Sequence, residues 1–252
     1  MIVAGLLALI IGALMGLLGG GGSLLTVPIL VYWLHVETRQ AIASSQLLVA
    51  TTSLVAVILH ARKGNVVWRT GALFSTCSIV GAYLGGRVAG YIPAPALMLA
   101  FAIVMLLAAA AMLTPIFKRH DEAAAPLGLG RAACVGLPVG MVAGLLGAGG
   151  GFLTVPALNL LAGLPIAQAI GTSLLIITTQ AIAGFLGQQA SVSIEPRLVL
   201  TLCICSAVGS IGGAQLTGRI PAARLRRVFG ILIALVGVGV LLRQIFALLR
   251  GS

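Results

Sequence analysis

Acidic residues are nearly absent from this chain: Glu37, Asp121, Glu122 and Glu195 are the only four in 252 residues. All four fall in loops or at the ends of apolar segments, so no carboxylate lies deep inside one. Cation carriers and proton relays place carboxylates at depth. Their absence argues against a metal-ion or Na⁺ carrier and fits an anionic cargo. Charge of either sign is scarce as well, at 8% of residues against about 25% in a soluble domain. Such a chain could not cover its own surface with polar groups in water. Cysteine is limited to Cys77, Cys134, Cys203 and Cys205, all in apolar runs. A lone Cys203-x-Cys205 has neither disulfide nor metal-site spacing, so these read as small packing residues. No basic stretch precedes Ile2–Leu18, so the first apolar run reads as retained and not as a cleaved leader. Also missing are a base paired with a nucleophile, a cluster of metal ligands, and a Gly-Lys-Ser/Thr after any glycine run. The sequence therefore predicts no enzyme, no catalytic residue, no cofactor and no metal.

What is present is apolar. The chain is 60% hydrophobic, with mean hydropathy +1.19. Solid runs such as Leu97–Met112 and Val228–Leu242 lack the alternation of a transmembrane β-barrel strand. Helices satisfy their own backbone in lipid, so the expectation is an all-α integral membrane protein. The net charge of +11 comes from 15 Lys and Arg, most of them between apolar runs. Retained loops and lipid headgroups account for them, and no nucleic-acid partner is expected.

The chain is also written twice. Displaced by 128 residues, Gly16–Leu30 (GLLGGGGSLLTVPIL) falls on Gly144–Leu158 (GLLGAGGGFLTVPAL), and eleven of fifteen positions are identical. Without a gap, Gln40-Ala41-Ile42 meets Gln168-Ala169-Ile170 and Ser45 meets Ser173. In the same register Gly81 meets Gly209, Gly85 meets Gly213 and Ile92-Pro93-Ala94 meets Ile220-Pro221-Ala222. Glycines and prolines in register are the mark of an internal repeat. The expected division is a first membrane repeat over 1–117, a linker over 118–131 and a second repeat over 132–252. Each repeat holds a short helix, a glycine break, a second short helix and three longer segments. These span 2–18, 23–35, 40–60, 67–90 and 94–117, then 132–146, 150–163, 168–187, 196–218 and 222–247.

Residues 2–35 would measure about 50 Å as one helix at 1.5 Å per residue, too long for a hydrocarbon core of about 30 Å. A kinked single span gives parallel repeats. A hairpin turning back at the glycines leaves an odd number of crossings and inverts the second half. Basic loops test this through the positive-inside rule. They swap places between the halves: Ala61–Arg69 is basic in the first, and the turn of Arg219, Arg224, Arg226 and Arg227 in the second. Counting Lys and Arg by side favours inverted over parallel repeats by a narrow margin.

The glycine breaks are the main candidate site. At Gly19, Gly20, Gly21, Gly22 and at Gly147, Gly149, Gly150, Gly151 the helix is interrupted in apolar surroundings. An N–H freed there is costly unless something accepts from it. Each break is followed by a helix start, whose orphan donors and dipole favour an anion. Broken segments at matching places in two halves point to a transporter's central site. Simple close packing of glycines is the competing account. Ser23 adds a hydroxyl, and Thr26 and Thr154 recur as a pair. Further hydroxyls lie at Ser44, Ser45, Thr172 and Ser173, with Gln46 beside them, and at Thr51-Thr52-Ser53 and Thr178-Thr179-Gln180. Neutral donors can replace an anion's water, although they also join helices. Ser45 and Ser173 are the preferred pair. Arg87 is read as snorkelling, and His35 and His60 as interfacial.

The stretch Gly19–Pro28 and its partner Gly147–Pro156 resemble the motifs of the sulfite exporter TauE/SafE family of bacterial and archaeal permeases. So do Gln168-Ala169-Ile170-Gly171-Thr172-Ser173-Leu174 and His60-Ala61-Arg62-Lys63-Gly64-Asn65-Val66. The resemblance covers nearly the whole chain. It implies a cytoplasmic-membrane transporter of about eight segments for sulfite, sulfoacetate or related anions. Ser44-Ser45 stands where that family usually has Thr-Ser, and the second repeat lacks the basic loop. A non-transporting scaffold and an anion channel are the alternatives to a transporter.

Overall fold

The computed structural model describes residues 2–18, 21–113, 129–147, 150–189, 192, 195–216 and 222–250. Every regular element among them is helical. In order these are α1 (Ile2–Leu18), a 3-10 turn (Gly21–Leu25), α2 (Thr26–Tyr32), α3 (Thr38–Arg62), α4 (Trp68–Ala89) and α5 (Ala94–Leu113). They continue with α6 (Leu129–Leu146), α7 (Gly151–Leu161), α8 (Ile166–Gln188), α9 (Pro196–Leu216) and α10 (Ala222–Arg250). Each segment expected from the sequence has its helix. α6 begins earlier than expected and takes in the end of the expected linker, of which 118–128 lie outside the described residues. α2 is shorter than expected because glycine-rich backbone tightens into a 3-10 turn ahead of it.

Five helices among the described residues, α3, α4, α5, α8 and α9, are long and apolar enough to cross a bilayer. Large apolar side chains such as Leu6, Ile10, Leu54, Leu107, Leu200 and Leu235 face outward. An exposed apolar surface of that extent marks contact with lipid or a partner. Trp33, Trp68 and Tyr91 are exposed at helix ends, the level at which amphipathic rings sit in a membrane. The protein is a multi-pass membrane protein.

Close packing here depends on glycine. A Cβ on Gly12 or Gly16 of α1 would land on the backbone of Ser206 or Ser210 of α9, and one on Gly209 or Gly213 would land on Leu9 or Ala13. The same four-way arrangement joins α6 to α4: Gly140 and Gly144 meet Ser78 and Ala82, while Gly81 and Gly85 meet Leu137 and Met141. Lipid gives helices no hydrophobic reason to associate, so small residues that let backbones touch supply the attraction. Each of these seams joins a helix of the first half to one of the second.

The pairings also fix directions. Positions rise together along α1 and α9, and along α4 and α6, so both pairs are parallel. Thr52 bonds Ser206 and Lys63 bonds the Ala214 carbonyl, so α3 runs with α9 and hence with α1. On the other side Gly71 meets Leu175 and Gly86 meets Gly184, so α8 runs with α4 and hence with α6. α3 and α8 themselves cross antiparallel, with Ser53 against Thr178 and Gln46 against Gly184. Because α1 and α3 share a direction, the intervening α2 must turn back; α7 must do so between α6 and α8. Each glycine break is therefore the tip of a helical hairpin.

Candidate functional site

The second tip is the better described. α6 ends at Leu146, Gly147 takes a left-handed φ of 70°, Gly150 takes 61°, and α7 starts at Gly151. Side chains rarely adopt that region, which is why this stretch is glycine. Leu153 and Thr154 are the first residues to donate to the Gly150 carbonyl, at 3.0 and 2.9 Å. The N–H groups of Gly151 and Phe152 thus precede the helical ladder, as at any helix start. The Thr154 hydroxyl also donates to the Gly150 carbonyl, at 2.9 Å. The first tip differs. Gly21, Gly22 and Ser23 belong to the 3-10 turn, and the Thr26 hydroxyl, equivalent to that of Thr154, is buried with no partner. Gly19, Gly20 and Gly149, expected in the site, lie outside the described residues.

Ser45 meets the break in the other half of the chain. Its Oγ is 2.7 Å from the Ile42 carbonyl and 2.8 Å from that of Gly147, so its one O–H is committed to backbone. Ser44 and Ser173 are buried on α3 and α8, and the Ser173 hydroxyl donates to the Ile170 carbonyl of its own helix at 2.8 Å. The Thr172 hydroxyl is drawn elsewhere, accepting the Val67 N–H at 2.9 Å ahead of α4. The structure thus joins Ser45 to the Gly147–Gly151 tip and turns Thr172 toward the α3–α4 connection.

The profile of the sulfite exporter TauE/SafE family matches residues 4–240. A probable membrane transporter protein of Xylella fastidiosa is 31% identical over 243 residues, covering 93% of this chain and 92% of its own. The chain belongs to the sulfite exporter TauE/SafE family. Two more distant relatives also align nearly end to end. The probable membrane transporter protein YdhB of Bacillus subtilis is 25% identical across 92% of this chain and 97% of its own. MJ0441 of Methanocaldococcus jannaschii, another probable membrane transporter protein, is 25% identical across 94% and 95%. No solved structure matches the chain.

In this TauE/SafE protein the sequence named several polar side chains without placing them at the tips. His60, expected at the interface, is fully buried, and its Nε2 donates to the Gly16 carbonyl at 3.2 Å. The physical reason is at the end of α1. A helix that stops inside the protein leaves its last carbonyls without partners, and α3 extends far enough to bring a donor to one of them. The displacement by 128 residues carried the signal: it sets His60 on Gln188 and Gly16 on Gly144, and the Gln188 Nε2 donates to the Gly144 carbonyl at 3.0 Å. Gln46 donates to the same Gly144 carbonyl at 2.8 Å. Gln180 is fully buried on α8 with neither amide atom bonded. Arg87 is exposed, with its Nη1 3.5 Å from the Tyr83 hydroxyl. Glu37 and Glu195, the two described acids, are exposed and far from the tips in sequence. The polar side chains identified at the tips are therefore amides, hydroxyls and the His60 imidazole, with no carboxylate among the described residues there.

Proposed function

We propose that this protein is a secondary transporter that carries a small oxyanion, sulfite or an organosulfonate, across the prokaryotic cytoplasmic membrane. The observation that carries the reading is the second hairpin tip, where left-handed glycines open the start of α7 inside the protein. Orphan N–H groups and a helix dipole favour negative charge there. Gly150 and Gly151 would line the substrate site, with Ser45 bracing Gly147 from behind. Gly21, Gly22 and Ser23 would serve at the first tip, and Ser44, Thr172 and Ser173 lie on the helices that flank the two.

We further infer that the halves are inverted repeats from one duplication. The antiparallel crossing of α3 with α8 and the matching glycine seams support this. Under that reading the hairpins enter from opposite faces of the bilayer, and alternating access comes from rocking one assembly against the other. The test is reconstitution into liposomes with labelled sulfite. Saturable, counterflow-stimulated uptake is expected. Uptake that never saturates would point to a channel, and no anion-dependent flux to a scaffold; either result overturns the proposal.

A further inference from the structure

Among the described residues Gln180 is the strongest unexplained group, and its surroundings state what it lacks. It is fully buried, and both ends of its amide are without a hydrogen-bond partner. Leaving a buried amide unpaired is among the costlier things a protein can do, and more so in lipid. Its Oε1 lies 2.9 Å from the point a Cβ on Gly150 would occupy, so the amide is aimed at the opening of α7.

The first half does not repeat this. At the equivalent Gly22 the neighbour is the thioether chain of Met15, where the second half has the smaller Ala143. The position equivalent to Gln180 is Thr52, whose hydroxyl is already paired with the Leu48 carbonyl and with Ser206. A small residue for a large one at Ala143, and a large one for a small one at Gln180, have exchanged an apolar filling for an amide.

We propose that Gln180 is a specificity-determining residue of the second tip, and that it selects monoanions which keep a proton donor of their own. This rests on the transport reading above. A carboxamide offers one donor end and one acceptor end, whichever way its oxygen and nitrogen are assigned. The donor end and the helix start suit an oxyanion; the acceptor end needs an O–H or N–H from the guest. The matching substrates are hydrogensulfite in place of the sulfite dianion, and hydroxysulfonates in place of simple alkylsulfonates. A dianion would place a second charge among neutral dipoles, where uncompensated charge is expensive.

The isosteric pair 2-hydroxyethanesulfonate and propane-1-sulfonate tests this, because they differ by a hydroxyl for a methyl. Labelled uptake of each into proteoliposomes should favour the hydroxyl compound in kcat/KM by about 10- to 100-fold, the effect of one buried hydrogen bond. The variant Gln180→Met should bring that ratio close to one, even as loss of the amide donor slows uptake of both compounds. Equal uptake of the two by the unaltered protein overturns the inference and leaves the transport reading standing. A preference that survives Gln180→Met overturns it as well. No saturable uptake of either sulfonate or of sulfite overturns both readings together.

Discussion

At Gly147 a Cβ would sit 2.6 Å from the Ser45 hydroxyl, on a backbone whose φ is already 70°. Two separate penalties therefore meet at one residue. Left-handed backbone costs a residue with a side chain roughly 1–2 kcal/mol, and the clash adds to it. Gly147→Ala should lower the melting temperature in detergent and cut anion uptake; a variant that melts with the wild type would show that the tip is not held left-handed. Ser45→Ala separates the brace from the break. Removing the hydroxyl leaves the Gly147 carbonyl without that donor, at about 1–3 kcal/mol for a buried group. Reduced stability with the fold retained is the expected result, and an unchanged thermal midpoint would count against the brace. Little of this was legible in the sequence. The glycines signalled a break, but Ser45 read as a donor for the substrate, and only the fold brings its hydroxyl to a carbonyl from the other half of the chain.

At the scale of the element, the seams of α1 with α9 and α4 with α6 fix how near two backbones can come. A methyl at Gly144 would fall on the Ala82 backbone, whereas one at Gly239 on α10 meets nothing within 4 Å. Gly144→Ala should therefore destabilise by about 1–3 kcal/mol or more, and Gly239→Ala should stay within about 1 kcal/mol of wild type. Comparing the two by thermal unfolding checks the seam; equal effects would refute it. The helices themselves were readable, because solid apolar runs and glycine punctuation give their number and most of their limits. The choice of partner was not. The repeated glycines at 81, 85, 209 and 213 announced that something packs closely, but a one-dimensional pattern does not say against which helix. The burial of His60 stayed hidden for the same reason: a histidine near a basic loop looks interfacial until the end of α1 arrives beside it.

For the whole molecule, the direction of the halves has a direct readout. Arg62, at the end of α3, and Glu195, ahead of α9, are both exposed. With α3 and α9 running the same way, these positions lie at opposite ends of the bundle. Arg62→Cys and Glu195→Cys, placed singly in a background without the four natural cysteines, should react with a membrane-impermeant thiol reagent from opposite sides of the membrane. Labelling of both from one side would exclude inverted repeats. The basic-loop count in the sequence leaned this way by a narrow margin, since the chain carries too few charges for loop asymmetry to decide.

The glycine seams also set a timetable for the nascent chain. α1 leaves the ribosome first, yet the backbone it is shaped to touch belongs to α9. At about 5–20 residues per second, it waits on the order of ten seconds or more with a bare strip of glycine facing lipid or the insertion machinery. α4 waits a shorter time for α6. Neither half can close on itself, so a chain cut between them should yield two fragments that are unstable apart and rescue one another when made together.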